Sequence, residues 1–118
     1  RFLGYICAPT LMQRMIIECA HLRPDLTTYR INRELLYNAL TEIGYECIYP
    51  DGAFYICAKA LEEDATAFAE RAKQFELMLV AGDTFEAFGY VRIAYCVDTD
   101  MIKRSLPAFK KLYDSYKK

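Results

Sequence analysis

The 118 residues suffice for one domain with one core, and a hydrophobic content of 54% is on the high side for a globular chain. No apolar run is long enough to cross a bilayer, and 15 basic against 16 acidic residues, a net charge of −1, leave no electrostatic footprint for nucleic acid. Five cysteines (Cys7, Cys19, Cys47, Cys57 and Cys96) are odd in number, far apart and accompanied by a single His. They lack the spacing of a zinc site and are expected to be small buried apolar residues in a reducing compartment such as the cytoplasm. The opening Arg1-Phe2-Leu3-Gly4, without Met, looks like a fragment boundary.

Thr10 and Gln13 form a capping box after Pro9, and Leu11, Met12, Met15, Ile16 and Cys19 recur at helical spacing, predicting a helix from about Leu11 to His21. His21 would be a helix-end cation. Thr28 can cap a second helix whose stripe of Ile31, Leu35, Leu36, Ala39, Leu40 and Ile43 stops at Gly44. The period then changes to alternation: Glu46 to Tyr49, the turn Pro50-Asp51-Gly52 and Ala53 to Ala58 predict a hairpin.

Asp64 starts a third helix with Ala65, Phe68, Ala69, Ala72 and Phe75 inward, and a short strand from Leu77 to Val80 follows, broken at Ala81-Gly82-Asp83. Tyr90 to Cys96 is the strongest strand signal. Asp98-Thr99-Asp100 begins a final helix in which Met101, Ile102, Leu106, Phe109, Leu112, Tyr113 and Tyr116 share a face and Pro107 should introduce a kink. Two helices, a hairpin, a helix, two strands and a long helix make an α+β domain spanning 1–118. Its expected form is a two-layer sandwich, a mostly antiparallel sheet of about four strands with helices on one face.

Within the last strand Tyr90, Arg92, Ala94 and Cys96 point one way and Val91, Ile93 and Tyr95 the other. Arg92 cannot lose its proton, so a buried guanidinium there needs a counter-charge, either an acid of this chain or a ligand carboxylate that fits its planar fork; otherwise that face of the strand is simply wet. Ala94 and Cys96 on its face are small, which leaves room for something to approach. Elsewhere the chemistry is sparse. No glycine-rich phosphate loop or metal-ligand cluster is present. Glu62, Glu63 and Asp64 are best explained as charges favourable to a helix N-terminus, Lys59 has nothing nearby to depress its pKa as a Schiff-base lysine requires, and Lys110, Lys111, Lys117 and Lys118 complement the last helix's C-terminal end.

Gly44-Tyr45, Pro50-Asp51-Gly52-Ala53-Phe54-Tyr55, Ala81-Gly82-Asp83-Thr84-Phe85 and Gly89-Tyr90-Val91-Arg92-Ile93-Ala94-Tyr95, in that order and spacing, resemble the C-terminal part of class I and II aminotransferases, the fold-type I pyridoxal-phosphate enzymes similar to aspartate aminotransferase. The resemblance extends to Leu3-Gly4-Tyr5, Ala8-Pro9-Thr10 and Ser105-Leu106-Pro107-Ala108-Phe109. It implies that Arg92 holds the α-carboxylate of an amino-acid substrate and that Gly82 to Phe85 help shape the substrate side of the cleft. The family's usual proline is Ala81 here, and the Ser-Phe that often follows the arginine is Ala94-Tyr95.

The resemblance also implies that the Schiff-base lysine, the aspartate at the pyridine nitrogen and most of the phosphate cradle lie on a large domain upstream. This chain would be the small C-terminal lid domain, without catalytic residues or a metal of its own and inactive in isolation. Its parent would use pyridoxal phosphate, amino acids and 2-oxo acids, and be a homodimer without nucleic-acid or membrane partners. A carbon-sulfur lyase of the same architecture, or a stand-alone module binding a small acid or a partner protein, are the alternatives. A removed large domain predicts an exposed apolar patch around the first helix, including Tyr5, Met12 and Met15. Phe54 and Tyr55 fit core packing and cleft lining equally.

Overall fold

Alternation along Tyr90–Ala94 produces an inner strand with two unlike faces, and the rest of the fold is organised around it. The computed structural model describes residues 8–117. Their elements are helix α1 (Thr10–Cys19), helix α2 (Thr27–Ile43), strands β1 (Cys47–Ile48) and β2 (Tyr55–Lys59), helix α3 (Ala65–Lys73), strand β3 (Val80–Ala81), a 3-10 turn (Gly82–Phe85), strand β4 (Tyr90–Ala94) and helix α4 (Thr99–Asp114). The four strands form one antiparallel sheet in the order β1-β2-β4-β3. This is the expected small α+β domain. β2 and β4 are the inner strands, in a register that sets Cys57 opposite Arg92 and Ile56 opposite Ile93.

One sheet face carries Ile56, Ala58, Val91 and Ile93, buried in a core with Leu36 and Leu40 of α2, Phe68 and Ala72 of α3, and Ile102, Phe109 and Leu112 of α4. Burial on this scale is the main favourable term for so small a domain. Polar groups inside are matched. Asn32, 1% exposed, donates from its amide to the carbonyls of Tyr95 (3.1 Å) and Val97 (2.7 Å) and accepts from the Thr99 hydroxyl (2.7 Å). Tyr45 lies edge-on to Phe109 and donates its hydroxyl to that residue's carbonyl at 2.9 Å.

Several local expectations shift. Asp64 caps α3 as expected, accepting from the amides of Thr66 (2.8 Å) and Ala67 (3.1 Å). At α2 the side chain that accepts from the first turn is Asp25, from the Thr27 amide at 2.9 Å, one turn earlier than the expected Thr28 cap. The inward stripe of α2 is rotated, so that Asn32 is buried and Ile31 exposed. Gly44 ends α2 at φ 117°, where a side chain would also run into the Tyr113 ring. In α1 Thr10 is already helical and makes no cap, while the Gln13 side chain donates to the Ala8 carbonyl at 2.6 Å. The strand expected over Leu77 to Val80 pairs only at Val80 and Ala81: Glu76 turns out of α3 at φ 62°, and Leu77 and Leu79 reach the core before pairing begins. Pro107 lies inside α4 as expected, and the helix continues to Asp114.

Candidate functional site

Arg92 lies on the sheet face that no described helix covers, half-buried, with Cys57 of β2 and Val80 of β3 as its partners in register. Two aromatic rings close on its guanidinium. The carbon at its centre is 4.3 Å from the centroid of the Tyr55 ring and 4.9 Å from that of Phe85. Among the described residues no carboxylate forms an ion pair with it, although Asp83 and Glu86 are near in sequence. Asp83 is used elsewhere, accepting from the Thr66 hydroxyl at 2.8 Å. No buried side-chain nitrogen or oxygen among those residues lacks a partner, so the fork opens to solvent. The guanidinium carbon thus lies over two aromatic rings, and among the described residues it has no acidic partner.

Phe85 reaches the arginine through a turn with little freedom. Ala81 leaves β3 in an extended conformation, Gly82 starts the 3-10 turn, and Glu86 ends it at φ 60°. A side chain on Gly82 would overlap the Ala87 carbonyl and come within 2.7 Å of the Tyr90 carbonyl, so a glycine is needed where these backbone segments cross. The Thr66 to Asp83 bond ties this turn to the start of α3. Tyr55 comes from β2, diagonally across from Arg92, because β2 pairs Tyr55 with Ala94 and Cys57 with Arg92. Periodicity in β2 alone could not place it; the register does, since Tyr55, Cys57, Arg92 and Ala94 then share one face. Phe54 is 41% exposed and Tyr55 half-buried on the open face, so neither belongs to the core. Of the small neighbours expected on this face, Ala94 ends β4 and Cys96 lies beyond the strand; the register adds Cys57 of β2 instead.

Other singled-out residues have structural explanations. Lys59 pairs with Glu46 at 3.0 Å, and that hydrogen bond holds its ammonium above the usual lysine range. Glu62 accepts from the Tyr116 hydroxyl at 2.6 Å and lies 3.9 Å from Arg71, joining the end of the chain to the start of α3. The cysteines depart from expectation. Cys19 and Cys96 are exposed, and Cys47 and Cys57 are intermediate, because α1 buries none of its residues and the other three lie at strand ends or outer faces. Cys7 lies outside the described residues. Burial pushes the Cys47 thiol up to about 11, which makes it unreactive at neutral pH. No group of metal-ligating side chains occurs among the described residues. His21 lies beyond the end of α1 and is exposed.

The expected apolar patch is present along α1, where Met12 and Met15 are about half exposed and Leu11, Ile16 and Ile17 more so; Tyr5 lies outside the described residues. A concavity of about 680 Å³ opens between α2 and α4, lined by Ala39, Glu42, Lys103 and Lys110. No described helix is long and apolar enough to cross a membrane.

Residues 5–109 match the family model for aminotransferase class I and II. The aspartate/prephenate aminotransferase of Thermus thermophilus is 33% identical over 86 residues, covering 71% of this chain and 22% of that protein. The crystal structure of an amino transferase from Eubacterium rectale superposes with a TM-score of 0.94 at 54% identity, covering 100% of this chain and 30% of that one. The Thermus thermophilus aspartate aminotransferase solved with maleate has a TM-score of 0.70 at 30% identity, covering 87% of this chain and 26% of that one. The chain spans less than a third of the length of each of these relatives.

Proposed function

Because this chain belongs to the aminotransferase class I and II family, we propose that it is the substrate-carboxylate-binding lid domain of an enzyme that transfers an amino group between an amino acid and a 2-oxo acid. The observation that carries the proposal is Arg92: a guanidinium fixed on an uncovered sheet face, with no internal counter-charge among the described residues and its fork open to solvent. A bidentate pair with a substrate carboxylate supplies the missing charge. The large domain, contributed by the remaining length of the parent, supplies the wall facing Arg92, and substrate bound to both parts holds the lid closed. The parent is a cytoplasmic homodimer.

Pyridoxal phosphate, the cofactor this family implies, supplies an electron sink when bound. Lys59, the lysine on the sheet face shared with Arg92, does not fit its site: it is exposed and paired with Glu46 at 3.0 Å, which raises its pKa, whereas an imine-forming lysine needs it lowered. In holding the cofactor the described residues of this chain therefore take no part. Its contribution is to bind and orient the carboxylate, and in isolation it is inactive.

The test is Arg92→Lys in the full-length enzyme. A loss of substrate binding of about 1.5 to 3 kcal/mol, that of a charge-assisted hydrogen bond, is expected, because an ammonium cannot reproduce the planar fork. Unchanged kinetics reject the carboxylate role. Appearance of a 2-oxo acid without release of ammonia from the amino group distinguishes transfer from β-elimination in the same assay.

A further inference from the structure

The geometry points to Tyr55 and Phe85 as positioning residues that fix the plane of the Arg92 guanidinium and so present its fork to a planar carboxylate. This inference rests on the carboxylate role of Arg92 proposed above. An arginine at the end of a flexible stem loses side-chain entropy each time it is ordered around a ligand; held in place beforehand, it has little left to lose. On this surface the usual device, an acidic partner gripping the fork, is absent among the described residues and would compete with the substrate. Aromatic faces solve the problem differently. They attract the cation without accepting hydrogen bonds at the edge of its fork, so the N–H groups there stay available to a carboxylate.

The two rings come from separate parts of the chain. Tyr55 is set by the β2–β4 register, with the small Cys57 and Ala94 leaving its ring room beside the arginine. Phe85 is set by the turn whose backbone crossing excludes a side chain at Gly82. Tyr55 is packed in turn against Phe54, with ring centroids 4.5 Å apart, so the ring beside the guanidinium is itself supported. The Tyr55 hydroxyl takes part in no hydrogen bond among the described residues, which leaves the ring, not the phenol, as the contributing group.

The experiment uses the full-length enzyme and two probes. These are whichever of the twenty standard L-amino acids it uses best as donor, and the amine obtained by removing that donor's α-carboxylate. Tyr55→Leu and Phe85→Leu are each expected to raise KM for the amino acid by about tenfold with kcat little changed, the pattern of lost uniform binding, and to leave kcat/KM for the amine unaltered. Tyr55→Phe keeps the ring and is expected to behave as the parent. A variant that lowers both probes equally, or a Tyr55→Phe variant as impaired as Tyr55→Leu, overturns the positioning role. Arg92→Lys, measured alongside, separates the two ideas. If it impairs the amino acid while both ring variants do not, the carboxylate hook stands and its aromatic positioning falls; if it impairs nothing, the hook itself falls.

Discussion

On the helix-covered face of the sheet Ile56, Ala58, Val91 and Ile93 are 7% exposed or less, whereas on the opposite face Tyr55, Cys57, Tyr90 and Arg92, drawn from the same two strands, remain half-buried. One pairing register serves both faces, yet they differ in what each side chain meets. Inside, apolar groups meet apolar groups and the few polar ones, such as Asn32, are fully matched. Outside, a permanent cation meets two rings and no carboxylate among the described residues. The first arrangement stabilises the fold by removing surface from water; the second leaves a guanidinium without an acidic partner among the described residues, available to the carboxylate proposed above. Substitutions should therefore divide cleanly between loss of stability and loss of binding.

The largest effect belongs to the covered face. Phe68, fully buried between α3 and the sheet, should cost about 3 to 5 kcal/mol on replacement by Ala, read as a fall in the denaturant midpoint. A loss below 1 kcal/mol would mean that the helical layer is not the core. A smaller effect comes from Tyr116, whose ring lies 5.8 Å from that of Phe68. Burial first, and the bond to Glu62 second, push its hydroxyl up to about 12 from the 10.0 of an unperturbed tyrosine. The folded state thus holds this proton more tightly, and the stability it confers is complete below about pH 10 and lost as the pH rises toward 12. Tyr116→Phe should flatten part of that alkaline decline, with Tyr45, raised in the same direction chiefly by burial, accounting for some of what remains. The smallest effect is expected on the open face: Arg92→Lys should leave the unfolding midpoint within about 0.5 kcal/mol of the parent while weakening substrate binding. A stability loss approaching that of Phe68→Ala would erase the distinction between the faces.

Much of this division is legible in the sequence because it rests on local periodicity. The alternation through Tyr90 to Tyr95 assigns Arg92 and Val91 to opposite faces without any tertiary information, and Asp64 before Ala65 and Phe68 announces a capped amphipathic helix. Contacts set by register are not legible in this way. Tyr55 becomes Arg92's neighbour only because β2 pairs with β4 and places Ala94 opposite it, so its role could not be separated from core packing beforehand. Asn32 was concealed for a related reason: a polar residue at the edge of an apolar stripe signals solvent unless its distant partners are known. The cysteines show the limit of residue-type averages, since a tendency toward burial says little about a residue on a helix that buries nothing.

The matching of Asn32 has a consequence for how the chain is made. Its partners Tyr95, Val97 and Thr99 lie 63, 65 and 67 residues further along. On a ribosome, α2 emerges long before the groups that complete it, and until they follow its amide must be satisfied by water. Closing α2 over the core early would strand a polar group in an apolar interior, at a cost of about 1 to 3 kcal/mol. That penalty favours a sequence of events in which α2 stays hydrated and loosely docked until the strand bearing Arg92 has been delivered and the last helix begins. One amide thereby favours consolidating the first half of the domain only after its last segment has joined it.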